Sequence, residues 1–399
     1  MTTATEVLLA TQPRRRLILS PRPLGEGGQA TVFAVAGDPD IVVKLYHEPT
    51  ADIERRLESM LILAHPDEFL SEDGSGHAVL TWPSALVEDV EDGSVIGYSM
   101  RRVDSPGYLP LGTLFNPAQR REHFPDISWR FLVGLARNLA GLTAALHERE
   151  LVLGDVSHAN LVVSQPGYLC FLDCDSMDFT DPRSGEHFSC EVLTAEYASP
   201  ELRRDERQSR SPATDDFSLA VLVCRLLLVG DHPFMGVRLA GGDDDADVAR
   251  NIFDGYSYLT RPAEMGLPAG TLDPALLPPR VLDLAQRAFG PGHLDHSARP
   301  TAEDWLVALD DAMGWIGPCV THRYHAYSEH LDGCPWCERV EAGATDVFPS
   351  PGAQLRRPTP PTAPVRTPDA SSGKFPTALI VAAGVIVLLV ILAAVLGSQ

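Results

Sequence analysis

The apolar residues of this chain change their period once, and that change divides what the chain can fold into. Residues 17–100 carry short alternating runs, such as Thr31-Val32-Phe33-Ala34-Val35 and Ile41-Val42-Val43-Lys44-Leu45, broken by Gly and Asp turns. A two-residue repeat is that of strands with one buried face. One helical stretch interrupts them at residues 52–64, where Ile53, Leu57, Met60, Leu61 and Ala64 line up as an apolar stripe. Past Arg102 the repeat becomes helical: Phe131, Leu135, Leu139, Leu142 and Leu146 fall at three- and four-residue steps, and residues 217–229 continue the habit. The expectation is an α+β chain, strand-rich over 17–100 and helix-rich over 103–316. Residues 1–16 have their basic cluster after a short apolar run and no small-residue cleavage site, so they read as a disordered, mobile leader rather than a signal peptide.

The C-terminal end differs in kind. Residues 344–375 are rich in Pro, Thr, Ser, Ala and Gly, a composition that cannot bury enough surface to offset chain entropy and reads as a semi-extended linker. Residues 377–396 carry no charge and include 13 Leu, Ile or Val. On an insertion scale these sum to about −4 to −8 kcal/mol, so a single transmembrane helix is expected there. Arg356, Arg357, Arg366 and Lys374 precede it, and the positive-inside rule then holds the N-terminal bulk in the cytoplasm, anchored at the cell membrane. With 54 acidic and 32 basic residues the net charge is −22, which repels a phosphate backbone and excludes nucleic acid as a partner. The acidic run 241–245 lacks a spaced set of oxygen ligands and reads as a solvated loop.

Candidate chemistry concentrates in three places. Leu24-Gly25-Glu26-Gly27-Gly28 precedes β-branched residues at once, which suits a hairpin flap whose amides approach phosphate oxygens, not the strand-to-helix turn of a dinucleotide site. Lys44, one of only two lysines, ends the next strand where an ammonium would meet phosphate and pair with a helix carboxylate. Glu58 is the favoured partner and Glu54 the rival. Asp155, Asn160 and Asp173 stand at intervals of five and thirteen. In that spacing an Asp can accept a hydroxyl proton while the Asn and the second Asp hold Mg²⁺.

Downstream, Thr194-Ala195-Glu196-Tyr197-Ala198-Ser199-Pro200-Glu201, Asp215-Asp216-Phe217-Ser218-Leu219, Gly230-Asp231-His232-Pro233-Phe234 and Arg299-Pro300-Thr301 follow in order. In this order and spacing the chain resembles the protein kinase-like superfamily over residues 20–312. The resemblance implies a two-lobed fold, with lobes at 17–100 and 103–316, ATP and Mg²⁺ as cofactors, and phosphoryl transfer to Ser or Thr of a protein substrate. It makes Asp155, Lys44 and Glu58 the catalytic set. Gly25, Gly27, Val32, Lys44, Met100, Asn160 and Asp173 become nucleotide contacts, with Asn160 and Asp173 as the Mg²⁺ ligands. Arg299 is expected to pair with Glu201. The chain departs from the family at Leu153-Gly154, where His-Arg is usual, at Cys174-Asp175 for Phe-Gly, at Ala30 for the third flap glycine, and at Ser157 for a lysine. Activation by loop phosphorylation is therefore not expected. These losses also motivate an alternative function, a pseudokinase-type nucleotide-binding scaffold at the membrane. Small-molecule phosphotransfer is disfavoured by the Thr-x-x-Tyr-x-Ser-Pro-Glu segment.

Residues 317–343 hold Cys319, His322, His325, His330 and Cys334-Pro-Trp-Cys337. Three thiolates and one imidazole around structural Zn²⁺ would fold so short a segment as a zinc ribbon. The resemblance to a bacterial kinase subgroup carrying Cys-Pro-Trp-Cys favours Cys319, His325, Cys334 and Cys337, with His322 as the other candidate and a redox dithiol as the competing chemistry. Cys170, Cys174, Cys190 and Cys224 read as packing residues.

Overall fold

The computed structural model describes residues 5–71, 74–103, 107–205, 207–240 and 247–352. Its first part is built from β1 (Glu6–Leu9), β2 (Arg15–Glu26), β3 (Ala30–Val35), β4 (Asp38–Tyr46), α1 (Ala51–Leu63), β5 (Pro83–Glu88) and β6 (Val95–Arg101). The strands close an antiparallel barrel in the order β1-β2-β3-β4-β6-β5. Alternation sorts the side chains. Val7, Leu9, Leu17, Leu19, Val35, Val43, Ala85 and Val87 fill the interior. Val42, Tyr98 and Met100 face the other way and pack with Leu57 of α1. Thr50 caps α1 by accepting from the Ile53 amide at 3.3 Å.

The expected leader is corrected here: residues 6–9 are the strand that closes the barrel. Val7 and Leu9 alternate over only four residues, too short a run to read as a strand alone. Their burial comes from pairing with both β2 and β5. Closure leaves this sheet no open edge for another chain to extend.

The second part contains β7 (Tyr108–Pro110), α2 (Pro117–His123), α3 (Trp129–Glu148), β8 (Leu161–Ser164), β9 (Leu169–Phe171), β10 (Phe179–Thr180), β11 (His187–Phe188), α4 (Pro200–Arg204), α5 (Pro212–Leu227), β12 (Val237–Arg238), α6 (Val248–Asp254), β13 (Met265–Gly266), α7 (Pro279–Phe289) and α8 (Ala302–Gly314). Helix α5 runs through its centre, apolar nearly all round, and α3 lies between α5 and α8. Small ladders, β7-β8-β9 and β10-β11, carry the connecting segments past the barrel. The expected ion pair is present. Arg299, fully buried, donates to both oxygens of Glu201 at 2.9 and 3.3 Å.

β14 (Ile316–Pro318), β15 (Ala326–Ser328) and α9 (Pro335–Glu341) follow directly. Residues 317–343 read in the sequence as a module and 344–375 as its linker, but the packing does not stop at either boundary. Trp336 donates to the Ala326 carbonyl at 2.7 Å, its ring centroid lies 6.1 Å from that of Trp129 and 5.0 Å from that of Phe348, and all three belong to the core of the helical part. Arg120 donates to the Val347 carbonyl at 3.2 Å with its guanidinium over the Phe348 ring. The first residues of the expected linker are thus docked, because Val347 and Phe348 bring apolar surface that a polar tether lacks. Among the described residues no helix is long and apolar enough to cross a membrane. The run 377–396, most of the Pro-rich stretch and the acidic run 241–245 lie outside them.

Candidate active site

Lys44 is fixed within the sheet by its neighbours, opposite Val32 on β3 and Tyr98 on β6. Its ammonium donates to Asp173 and to both oxygens of Asp175, the latter at 2.7 and 2.9 Å. Asp175 also accepts from the hydroxyls of Tyr98, at 2.7 Å, and Tyr46. Burial opposes ionisation of Asp175, yet the Lys44 charge and these hydrogen bonds outweigh it and hold its pKa below the usual carboxylate range. Burial and the adjacent Asp175 charge push Asp173 the other way, against the pull of Lys44. Lys44 itself is raised, since two carboxylates overcome its desolvation.

The expected partner Glu58 is therefore corrected. It is exposed on α1, and neither it nor Glu54 meets the ammonium. The helix offers a cation instead. Arg56 donates to the carbonyls of Asp175 at 3.0 Å, Met177 at 2.7 Å and Ser189 at 2.6 Å, and its guanidinium lies over the rings of Phe179 and Phe188. A guanidinium cannot neutralise an ammonium, so the acid comes from the loop that Arg56 holds. Asp173 begins that loop in the left-handed region, φ 60° and ψ 38°, at a cost of about 1–2 kcal/mol for a residue with a Cβ.

Asp155 lies in the loop between α3 and β8. Leu153 and Gly154 donate their amides to Asp215 on α5 at 2.7 and 2.9 Å, fixing the turn ahead of it. Gly154 has φ +80°, and a Cβ there would come within 2.6 Å of the Cys190 sulfur, so no side chain fits where an arginine is usual. Asp155 accepts from the amide and hydroxyl of Thr194, both at 2.9 Å, and from the Asn160 side chain at 3.0 Å. Burial raises its pKa despite these hydrogen bonds, a direction that suits a proton acceptor. The Asn160 carbonyl accepts from the Leu172 amide at 2.7 Å, which ties this loop to the residue before Asp173.

The glycine turn is a hairpin, with Gly25 opposite Val32 and the Gly27 amide donating to Ala30 at 2.9 Å. Val32 and Met100 share an apolar cluster with Leu24 and Val42, while Val162, Val103 and Leu172 gather in a second one. Lys44, Asp155, Asn160 and Asp173 are thus brought into one connected set and Glu58 is left out. Sequence reasoning missed Asp175, Tyr46 and Thr194 as members of this set. The doubled acid of Asp173-Cys174-Asp175 and the alternation that puts Tyr46 on the Lys44 face were the available signals.

No family model matches this sequence. Protein kinase YegI of Escherichia coli K12 is 30% identical over 324 residues, covering 79% of this chain and 48% of the relative. The same protein of Escherichia coli O157:H7 is 31% identical with the same coverage. The chain spans about half the length of these relatives. Among solved structures, the ROP18 kinase domain in complex with AMP-PNP and sucrose matches with a TM-score of 0.51 at 17% identity, over 78% of this chain and 84% of that one. In sequence and in fold this chain is similar to protein kinases. Within this kinase-like fold, the barrel supplies Lys44 and the glycine turn, and the helical part supplies Asp155, Asn160 and Asp173.

A second cluster lies at the far end of the kinase-like chain. Cys319, His325, Cys334 and Cys337 bring their ligand atoms within 4.8 Å of one another. Sulfur to His325 Nδ1 measures 3.5 Å from Cys334 and 3.4 Å from Cys337, and the Cys319 and Cys337 sulfurs are 3.6 Å apart. A tetrahedral zinc with Zn–S near 2.3 Å and Zn–N near 2.0–2.1 Å has edges of roughly 3.6–3.8 Å, so the donor set fits. His325 Nε2 lies 3.0 Å from Asp346, placed where an outer carboxylate would orient the imidazole if it held a metal. His322 stays outside the four, 3.3 Å from the Ser350 hydroxyl.

Proposed function

We propose that this chain is a protein serine/threonine kinase that uses ATP and Mg²⁺ in a cleft between two lobes. It would be held at the cell membrane by residues 377–396, with its bulk in the cytoplasm. The observation that carries this reading is the hydrogen-bonded connection of Lys44 to Asp173 and of Asp155 to Asn160. Lys44 would place the α- and β-phosphates, Asn160 and Asp173 would hold Mg²⁺, and Asp155 would orient the substrate hydroxyl and accept its proton. The adenine would lie between the Val32–Met100 cluster and Val162. A bound magnesium supplies charge neutralisation at the β- and γ-phosphates, and the protein supplies position.

The test is phosphate incorporation from radiolabelled ATP by the full-length chain in detergent. Wild type is expected to label itself or a general protein substrate, and Asp173→Ala to lower incorporation by about a thousandfold. Labelling unchanged in Asp173→Ala sinks the assignment. The scaffold reading draws support from one observation, that both carboxylates already neutralise Lys44. It expects thermal stabilisation by ATP with no transfer.

The Cys-His cluster would hold Zn²⁺ as a structural ion. Because Trp336 and Phe348 share the main core, stripping zinc with a chelator is expected to lower the melting temperature of the whole kinase-like part by at least about 4 °C, what roughly 2 kcal/mol produces in a large domain. A thermal melt that a chelator leaves unmoved removes zinc from the account.

A further inference from the structure

Helix α5 is buried at every position from Thr214 to Leu227 except Arg225. That residue's guanidinium lies over the ring of Phe115, 4.4 Å from its centroid, and one of its nitrogens donates to the hydroxyl of Tyr197. The hydroxyl lies 2.7 Å from His158 Nδ1. Burial, then the Arg225 charge, lowers the pKa of His158 to about 4, so its ring is neutral and takes the tyrosine proton. The tyrosine is thereby saturated, and four of the five guanidinium donors of Arg225 are left over. Its Nε has no partner, and among the described residues no carboxylate pairs with it. Arg203 repeats the situation. It is half-buried on α4, donates to the Ala195 carbonyl at 3.3 Å, and has an unpartnered Nε and no ion pair among the described residues.

Both arginines thus hold one short segment, Thr194–Tyr197, whose first residue clamps Asp155. Neither guanidinium has a carboxylate partner among the described residues, although the chain carries 54 acidic against 32 basic residues. Arg299, the arginine next along this path, is fully neutralised by Glu201.

We propose that Arg225 and Arg203 form an anion-accepting subsite for the protein substrate, so that the preferred hydroxyl is flanked by an acidic or phosphorylated side chain. This rests on the kinase reading and deepens it. Carboxylate and phosphate are both planar-fork partners for guanidinium. The group that opposes it is Glu196, whose charge adds to burial in raising the Tyr197 pKa against the pull of Arg225. The subsite therefore discriminates at short range, while the net charge of −22 slows encounter at low salt.

The experiment uses the full chain with fluorescent serine peptides identical but for flanking Asp, phosphoserine, Gln or Arg, read by phosphate transfer and, separately, by anisotropy. Wild type is expected to favour the Asp and phosphoserine peptides over the Arg peptide by about tenfold or more in kcat/KM, mostly through KM. Arg225→Gln should erase that preference, Arg225→Lys should restore part of it, and Arg203→Gln should weaken it, with the phosphoserine arm deciding which anion is preferred. A wild type that is indifferent or favours Arg peptides overturns the proposal, as does preference retained in Arg225→Gln. Absence of transfer to every peptide overturns the kinase reading alone if acidic peptides still bind in an Arg225-dependent way, and both if they do not.

Discussion

The two acids that anchor this site work from different kinds of structure. Asp215 sits on the first turn of α5, a helix buried along nearly its whole length, and grips the backbone ahead of Asp155 through two amides. Asp175 sits two residues past Asp173 in a loop, and grips the Lys44 side chain. The first anchor is rigid because the helix is. The second is rigid only because Arg56, Tyr46 and Tyr98 hold the loop from the barrel side. The Asp155 half of the site is therefore built into the core. The Lys44 half is built across the seam between barrel and helices, where α1 contributes a clamp rather than a charge partner.

The largest expected effect separates Asp175 from Glu58. Asp175→Asn removes a buried carboxylate beside Lys44, a change that costs roughly 3–5 kcal/mol when one partner of a buried pair is lost. Since Asp173 remains to receive the ammonium, phosphate transfer should fall by about a hundredfold and ATP affinity with it. Glu58→Gln, on an exposed helix face, should leave both within about twofold. Steady-state kinetics at varied ATP check this directly. Equal losses in the two variants would mean that α1 shifts on nucleotide binding and that the anchor is the helix after all.

How much of this was legible follows the same division. The positions of Asp155, Asn160, Asp173, Glu201 and Arg299 were readable because each belongs to a local motif at fixed spacing. The backbone that presents them is set within a few residues. The partner of Lys44 was not readable. Choosing between Glu58 and Asp175 requires the side chain at Arg56, and periodicity does not report what a helix face carries to a distant loop. β1 escaped for a related reason: four alternating residues become a strand only when β5, almost eighty residues away, supplies the second edge. The grouping of the cysteines with His325 was legible, but the docking of Trp336 and Phe348 beside it into the main core was not, because Phe348 lies in a stretch whose composition reads as linker.

A middle-sized effect tests the helix-borne anchor. Asp215→Asn retains one acceptor for the two amides of Leu153 and Gly154 and loses the charge, so it should destabilise by about 1.5–3 kcal/mol, the worth of a charge-assisted hydrogen bond. The Asp155 loop would loosen while the Lys44 pair stayed intact. Transfer should therefore fall through kcat with KM for ATP little changed, the opposite split from Asp175→Asn. Losses confined to ATP affinity would erase the distinction between the two halves.

The smallest effect per unit step is a pH dependence at the foot of the same anchor. His147 lies 3.1 Å from Asp215 and 4.0 Å from Asp216, and one oxygen of Asp216 has no hydrogen-bond partner. Burial, with the Asp215 charge adding and His147 opposing, raises the Asp216 pKa to about 7. Burial works against a charged His147, but its hydrogen bond to Asp215 wins and raises it too. In both cases the folded state keeps a proton that the unfolded chain releases earlier. Their contribution is thus present at low pH and lost as pH rises, for Asp216 between about 4 and 7 and for His147 upward from about 6.5, at no more than about 1.4 kcal/mol per pH unit for each group. Denaturant midpoints measured from pH 5 to pH 8 should decline in wild type and decline less in Asp216→Asn, which keeps the shape without the titration. A variant whose midpoint falls as steeply as wild type would place the dependence elsewhere, and the buried anchor would then carry no proton of its own.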